Sequence, residues 1–319
     1  MDNRNLQGIL LTTLGGICWG ISGSIGQYLF SVEGMDAHWL VPIRLGCAGI
    51  ILLLYSLLRG QSILSPWKNR QEAVELVVYG LLGVSFCQYL YFRTIQLSTA
   101  GVATILQDLS PIFILCITCY VQRRGPKFLE ILSILLALVG VSLITTHGDW
   151  MSLIGNDSGS SGGVSMAALV TGILSAFTVV IYNLAPVRIM RKYSIFMLQG
   201  WAFLMGGVFF SIAFHIWTYR YVPGVFGFLG IIGVVLIGNV LAFPLYMSGV
   251  RLIGADRGIL YGFSEPISAA LIGTLCLHTP FTLYDGIGFL CVFLMLALIS
   301  VNGQREEKRK AEERYGKEK

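Results

Sequence analysis

The chain has 319 residues, 55% of them hydrophobic and only 12% charged, with a mean hydropathy of +0.73 and a net charge of +5. Soluble domains carry about a quarter charged residues, so a soluble enzyme or binding module is excluded. The basic residues form no stripe interleaved with aromatics, which excludes a nucleic-acid surface, and the 38 glycines suit membrane helices.

Spans of about 20 apolar residues are what a bilayer requires. Ten are predicted, at Leu6–Phe30, His38–Leu58, Ala73–Phe92, Ala100–Val121, Phe128–Thr146, Val164–Pro186, Ile195–Trp217, Phe226–Met247, Ala255–Leu277 and Leu283–Val301. The first is too long for a cleaved leader and is expected to stay as a helix. Lys and Arg gather on one side, at Arg4, Arg59, Lys68, Arg70, Arg123, Arg124, Lys127, Arg188, Arg191, Lys192, Arg251, Arg257 and the tail. That asymmetry predicts cytoplasmic N- and C-termini in a plasma or inner membrane.

Helix one carries Trp19, Ser22, Gly23 and Gln27, with Gly16/Gly20 and Ser22/Gly26 as small pairs that let helices approach. Arg44, just inside helix two, is expected to snorkel to the external interface; the alternative is contact with a substrate carboxylate. Arg93 carries the same ambiguity. Helix three offers Gln88, Tyr91 and Phe92 at helical spacing. In helix four Thr104, Gln107, Asp108 and Pro111 share a face, which lines either a cavity or an interhelical hydrogen-bond patch. An intramembrane Asp is a functional candidate by default, here for carrying a proton. Cys116 and Cys119 have metal-like spacing but no second pair, and all seven cysteines fall within spans, where packing is the expected role.

Helix six adds Ser175, Thr178, Tyr182 and Asn183, and helix eight adds Asn239, Phe243 and Tyr246. Helix nine has Tyr261, Glu265 and Ser268 on one face, with Glu265 either structural or proton-coupling. Pro111 and Pro266 are hinge candidates, since a proline deletes a backbone hydrogen bond and bends its helix.

An internal repeat underlies these positions. "YFRTIQLSTAGVATILQDLSPIF" from Tyr91 aligns without gaps on "YMSGVRLIGADRGILYGFSEPIS" from Tyr246, a constant offset of 155 residues that also pairs Gly83 with Gly238 and Leu135 with Leu290. Each half then holds five helices, and two odd-helix units in series must face opposite ways across the membrane. The expected fold is an all-α polytopic membrane protein, ten transmembrane helices in two inverted five-helix repeats. The halves are residues 1–154 and 164–303, joined by an external Gly/Ser-rich linker at 155–163 and followed by a charged cytoplasmic tail at 304–319.

This pattern resembles the EamA branch of the drug/metabolite transporter superfamily. The resemblance rests on "GICWG", "PIRLGCAGIILLL", "AGVATILQDLSPIFIL", "LALVGVSLI", "LSAFTVVIYNLAPVRIM" and "FSEPISAALIGTLCL", in that order along most of the chain. The chain departs from the branch at the ends of helices four and nine, where a usual glutamate is replaced in "YVQRRGP" and "CLHTPF". The resemblance implies export or import of small metabolites, often amino acids or related amphiphilic compounds.

Function is therefore expected to be secondary transport, with export the expected direction, by alternating access; the rival is a ligand-binding receptor or scaffold. The substrate-cavity candidates are Trp19, Gln88, Tyr91, Thr104, Gln107, Asp108, Tyr182, Asn239, Tyr246 and Tyr261, and the proton-coupling candidates Asp108 and Glu265. No catalytic residue, cofactor or metal is expected; the partners are a small-molecule substrate and lipid. "GISG" at 20–23 looks like a protease serine motif, yet His38, His147, His215 and His278 all sit near predicted helix ends, leaving no mid-membrane base. No Gly-x-x-x-x-Gly-Lys-Ser/Thr loop is present for nucleotide-driven transport.

Overall fold

The computed structural model describes residues 3–121, 123, 125–146, 164–184, 187–253, 258, 261–262, 264–298 and 301, and these residues form helices and connections with no strand. α1 spans Asn3–Ser31. α2 (Ala37–Leu58) begins where the Asp36 carboxylate accepts the His38 N–H at 2.7 Å. α3 (Arg70–Leu97) begins on Asn69, which accepts from the Gln71 N–H at 2.9 Å. α4 begins on Thr99, whose hydroxyl accepts the Val102 N–H at 3.2 Å, and it has two arms, Ala100–Gln107 and Ser110–Val121.

The later helices are α5 (Phe128–Thr146), α6 (Met166–Leu184), α7 (Ile195–Ala213), α8 (Val225–Val250), α9 (Ser264–Leu277) and α10 (Leu283–Leu298). Six, α1 to α4 with α7 and α8, are long and apolar enough to cross a bilayer, and the other four are shorter apolar helices. The chain is an integral membrane protein.

Some expected boundaries move. Helix three runs on past Phe92 to Leu97. Helix seven stops at Ala213 instead of Trp217, because His215 turns left-handed at φ +50 and Ile216–Thr218 form a short 3-10 turn. The expected linker at 155–163 and tail at 304–319 lie outside the described residues, as do the Tyr182 and Asn183 side chains.

Backbone detail recurs at the offset read from the sequence. Gly60 and His215 close α2 and α7 with φ of +73 and +50, and Arg123 and His278 close α4 and α9 with φ of +49 and +53. Each pair is 155 residues apart. α3 contains a π-helical segment at Val78–Ser85 and α8 contains one at Val234–Leu241, within a residue of the same offset.

Packing crosses between the halves in matched ways. α1 lies on α8 and α9, while α6 lies on α3 and α4. α2 packs on α7 and α4 on α9. Along the α2–α7 seam Gly46 faces Gly207, Gly49 faces Leu204 and Leu53 faces Gly200, so these two helices run antiparallel. α5 and α10 also meet at glycines, a Cβ on Gly140 lying 2.8 Å from the Gly288 carbonyl oxygen. Such contacts suit a bilayer, where close backbone approach and dispersion replace the hydrophobic effect between helices.

Ahead of the apolar part of α3, Glu72 ties the halves together. Its carboxylate accepts from Lys192 Nζ at 2.6 Å and from the Tyr193 hydroxyl at 2.5 Å. The hydrogen bond to Glu72 holds the Lys192 ammonium above its ordinary range.

Candidate functional site

α4 does not cross the membrane as one rod. Its first arm ends at Gln107 with Asp108 as C-cap, and the second begins at Ser110. Pro111 supplies the local cause, because it has no N–H to give the Gln107 carbonyl. The turn is closed by tighter bonds, Leu109 N to the Leu106 carbonyl at 3.3 Å and Ile112 N to the Leu109 carbonyl at 3.0 Å. Asp108 therefore sits at a helix interruption, and its buried Oδ2 has no hydrogen-bond partner among the described residues.

Glycines on α1 bring the opposing elements close. Gly16 faces Ser264 Oγ and Gly20 faces Ser268 Oγ, with the Glu265 carbonyl 2.6 Å from where a Gly20 Cβ would lie. The Gly16/Gly20 pair thus seats α9 against α1 at Glu265. Gly15 admits the α8 backbone at Tyr246, and the Trp19 ring packs on the Tyr246 and Phe243 rings at 4.9 and 6.5 Å between centroids. Tyr91 reaches over from α3 to Gly23, and its hydroxyl donates to Glu265 Oε1 at 3.4 Å. Asp108 and Glu265 lie within Coulombic range of one another and of the Tyr91 and Tyr246 hydroxyls. One cluster thus unites two carboxyl groups, two phenols and an indole from α1, α3, α4, α8 and α9.

The other candidates divide. Thr104 donates its hydroxyl to the carbonyls of its own helix, Ala100 at 2.5 Å and Gly101 at 3.2 Å, and also meets the Tyr91 hydroxyl of the cluster. Gln107 donates to Cys87 Sγ at 2.8 Å. Gln88 and Tyr261 are half-buried. Pro266 is buried in the first turn of α9 and Pro111 is half-buried at the α4 break.

Arg44 does not snorkel. It is 1% exposed, its guanidinium lies over the Phe92 ring at 3.8 Å, and Nη2 donates to Asn239 Oδ1. Asn239 is 0% exposed and belongs to the π-helical segment of α8. This pairing joins residues far apart in the sequence, and only the depth of Asn239 in an oily run hinted at it.

A cavity of about 180 Å³ opens where the α3–α4 and α9–α10 connections meet, lined by Gln27, Ser98, Thr99, Ala269, Thr279 and Phe289 among others. Gln27 ties its walls together, donating to Thr279 Oγ1 and accepting from the Ala100 N–H, both at 2.8 Å. Ala269 lies one helical turn from Glu265, about 6 Å along the α9 axis, so the cavity approaches the acidic cluster from that end.

The sequence pattern of the EamA-like transporter family matches residues 6–146 and 166–301. The chain belongs to that family. A Salmonella typhimurium protein named as an uncharacterized inner membrane transporter, YicL, is 34% identical over 301 residues, covering 94% of this chain and 97% of the relative. YetK of Bacillus subtilis, named as an uncharacterized transporter, is 26% identical over 86% of this chain and 80% of its own length. A solved crystal structure shares the fold, with a TM-score of 0.58 at 14% identity, covering 91% of this chain and 98% of the other. In this EamA-like membrane transporter the acidic pair belongs to helices four and nine, Asp108 at the α4 interruption and Glu265 in the first turn of α9.

Proposed function

We propose that this EamA-like protein is a secondary transporter that exports small metabolites, such as amino acids or related amphiphilic compounds. It would work by alternating access between two inverted five-helix halves, residues 1–154 and 164–303. The linker at 155–163 is external in this reading, and both termini, including the tail at 304–319, are cytoplasmic. The relatives' names support placement in the inner membrane. Support for the inverted arrangement comes from the antiparallel α2–α7 seam and from left-handed residues and π segments recurring at one offset.

The observation that carries the reading is the interruption of α4 at Asp108. Discontinuous helices near the bilayer midplane are where secondary transporters hold substrates and coupling ions. A charged carboxylate at a helix centre costs about 2.5–3.5 kcal/mol on insertion scales, and no described donor offsets that cost at Oδ2. Alternation between protonated and ionised Asp108, with Glu265 and the Tyr91 hydroxyl beside it, gives a path for proton coupling.

The test begins with metabolites released by cells with and without the protein, to find a transported compound. Asp108→Asn, which mimics the protonated acid, should keep substrate binding but lose pH-driven accumulation in vesicles. An Asp108→Asn protein with the wild-type pH dependence would refute the proton role. Unchanged metabolite release on deletion and overexpression would favour the receptor reading.

A further inference from the structure

The Arg44 environment contains more donors than acceptors. Arg44 Nε and Nη1, Asn239 Nδ2 and Ser22 Oγ are all buried without a hydrogen-bond partner among the described residues. Their side chains are 1%, 0% and 2% exposed. No described carboxylate pairs with the guanidinium; its partners are the Asn239 carbonyl oxygen and the Phe92 ring face. Gly238 shows that these groups converge, since a Cβ added there would land on Ser22 Oγ and 3.5 Å from Arg44 Nη2. Arginine stays charged in proteins and its flat fork matches a carboxylate. Buried charge without a partner is costly.

The repeat supplies a control within the same molecule. The residue 155 positions beyond Arg44 is Gln199 on α7. Gln199 Oε1 accepts from the Tyr79 hydroxyl at 2.7 Å, and Tyr79 belongs to the π segment of α3, as Asn239 belongs to that of α8. Both halves therefore join a polar residue of α2 or α7 to the facing π segment. In the second half a neutral amide performs that joining with its oxygen satisfied. Joining the helices does not require a cation, so the guanidinium and its open donors call for another explanation.

We infer that Arg44, Asn239 and Ser22 form a carboxylate-binding site for an organic acid group of a ligand. The Arg44 fork and Asn239 Nδ2 donate to the carboxylate oxygens, and the Ser22 hydroxyl gives a further hydrogen bond. Tyr91, within Coulombic range of Arg44, links this basic site to Glu265 through its hydroxyl. The ligand's anionic end is thus held on the α2–α8 side, and the Phe92 and Trp19 rings provide apolar walls toward the acidic cluster. This inference adds a ligand class to the transporter reading. It is measured as binding, so failure of a transport assay leaves it standing, and its own failure leaves transport standing.

The purified full chain in detergent is titrated with sodium 3-phenylpropionate and with the neutral 3-phenylpropionamide at constant sodium chloride, following Tm. The acid should raise Tm with saturation and the amide should not. Asn239→Asp places a carboxylate within the site itself, so it should weaken 3-phenylpropionate binding roughly tenfold or more. Arg44→Gln copies the residue of the second half and should also lose the shift. Equal shifts with acid and amide, an equal shift from additional sodium chloride, no shift with the acid, or a folded Arg44→Gln protein of wild-type affinity would each overturn the site.

Discussion

Gly49→Ala tests the α2–α7 seam, where the halves touch backbone to backbone. The added Cβ would lie 2.5 Å from the Leu204 nitrogen and 2.8 Å from its Cα, so two helix backbones must separate. Overpacking of this kind costs about 1–3 kcal/mol. Replacing a helical glycine by alanine returns about 0.5–1 kcal/mol of backbone preference. The net expectation is a loss of roughly 0–2.5 kcal/mol. Gly46→Ala, one turn earlier on α2, provides the reference because its Cβ meets nothing within 4 Å. Both variants carry the same gain in preference, so their difference isolates the contact, at about 1–3 kcal/mol. Unfolding with sodium dodecyl sulfate in mixed micelles, followed by helicity, measures it. A Gly49→Ala protein as stable as Gly46→Ala would refute the close antiparallel packing of α2 on α7.

Three further expectations concern other parts of the fold. His215→Gly should raise stability by about 1 kcal/mol in the same unfolding assay, since His215 is exposed and holds φ +50, where its mate is already Gly60; unchanged stability would remove the strain. Pro111→Ala restores a donor for the Gln107 carbonyl, so transport of an identified substrate should fall at least about tenfold with abundance preserved; a wild-type rate would mean the α4 interruption is not used. Single cysteines at Ser62 and Ser158, in a chain lacking the native seven, should label from opposite membrane faces. Labelling from the same face would end the inverted arrangement.

Much of this architecture was legible because hydropathy reports directly on a bilayer. Helices α1 to α4 needed only apolar length, and Asp108 announced itself as a charge in an oily run. The repeat was legible because its register has no gap. Other features leave no such trace. A π-helical segment such as Val78–Ser85 contains no residue that distinguishes it from α-helix in sequence. Arg44 near a helix end looks like a snorkelling residue, and only the packing of α1, α3 and α8 around it shows its burial. Gln107 shares a helical face with Asp108 yet turns to Cys87, a choice made by the neighbouring α3.

The π segments also bear on how the two halves keep step. A π-helical turn accommodates an extra residue within an α-helix. Had such a residue been present in only one half, the two halves would fall out of step downstream of it. Instead Gly49 meets Leu204, its partner at 155, upstream of both segments, and Tyr91 and Tyr246 keep that spacing downstream. The widened turns of α3 and α8, at Val78–Ser85 and Val234–Leu241, thus leave the 155-residue spacing undisturbed on either side of them. Around the same kind of turn the two links differ in charge: α8 offers Asn239 to the Arg44 cation, while α3 offers Tyr79 to the neutral Gln199.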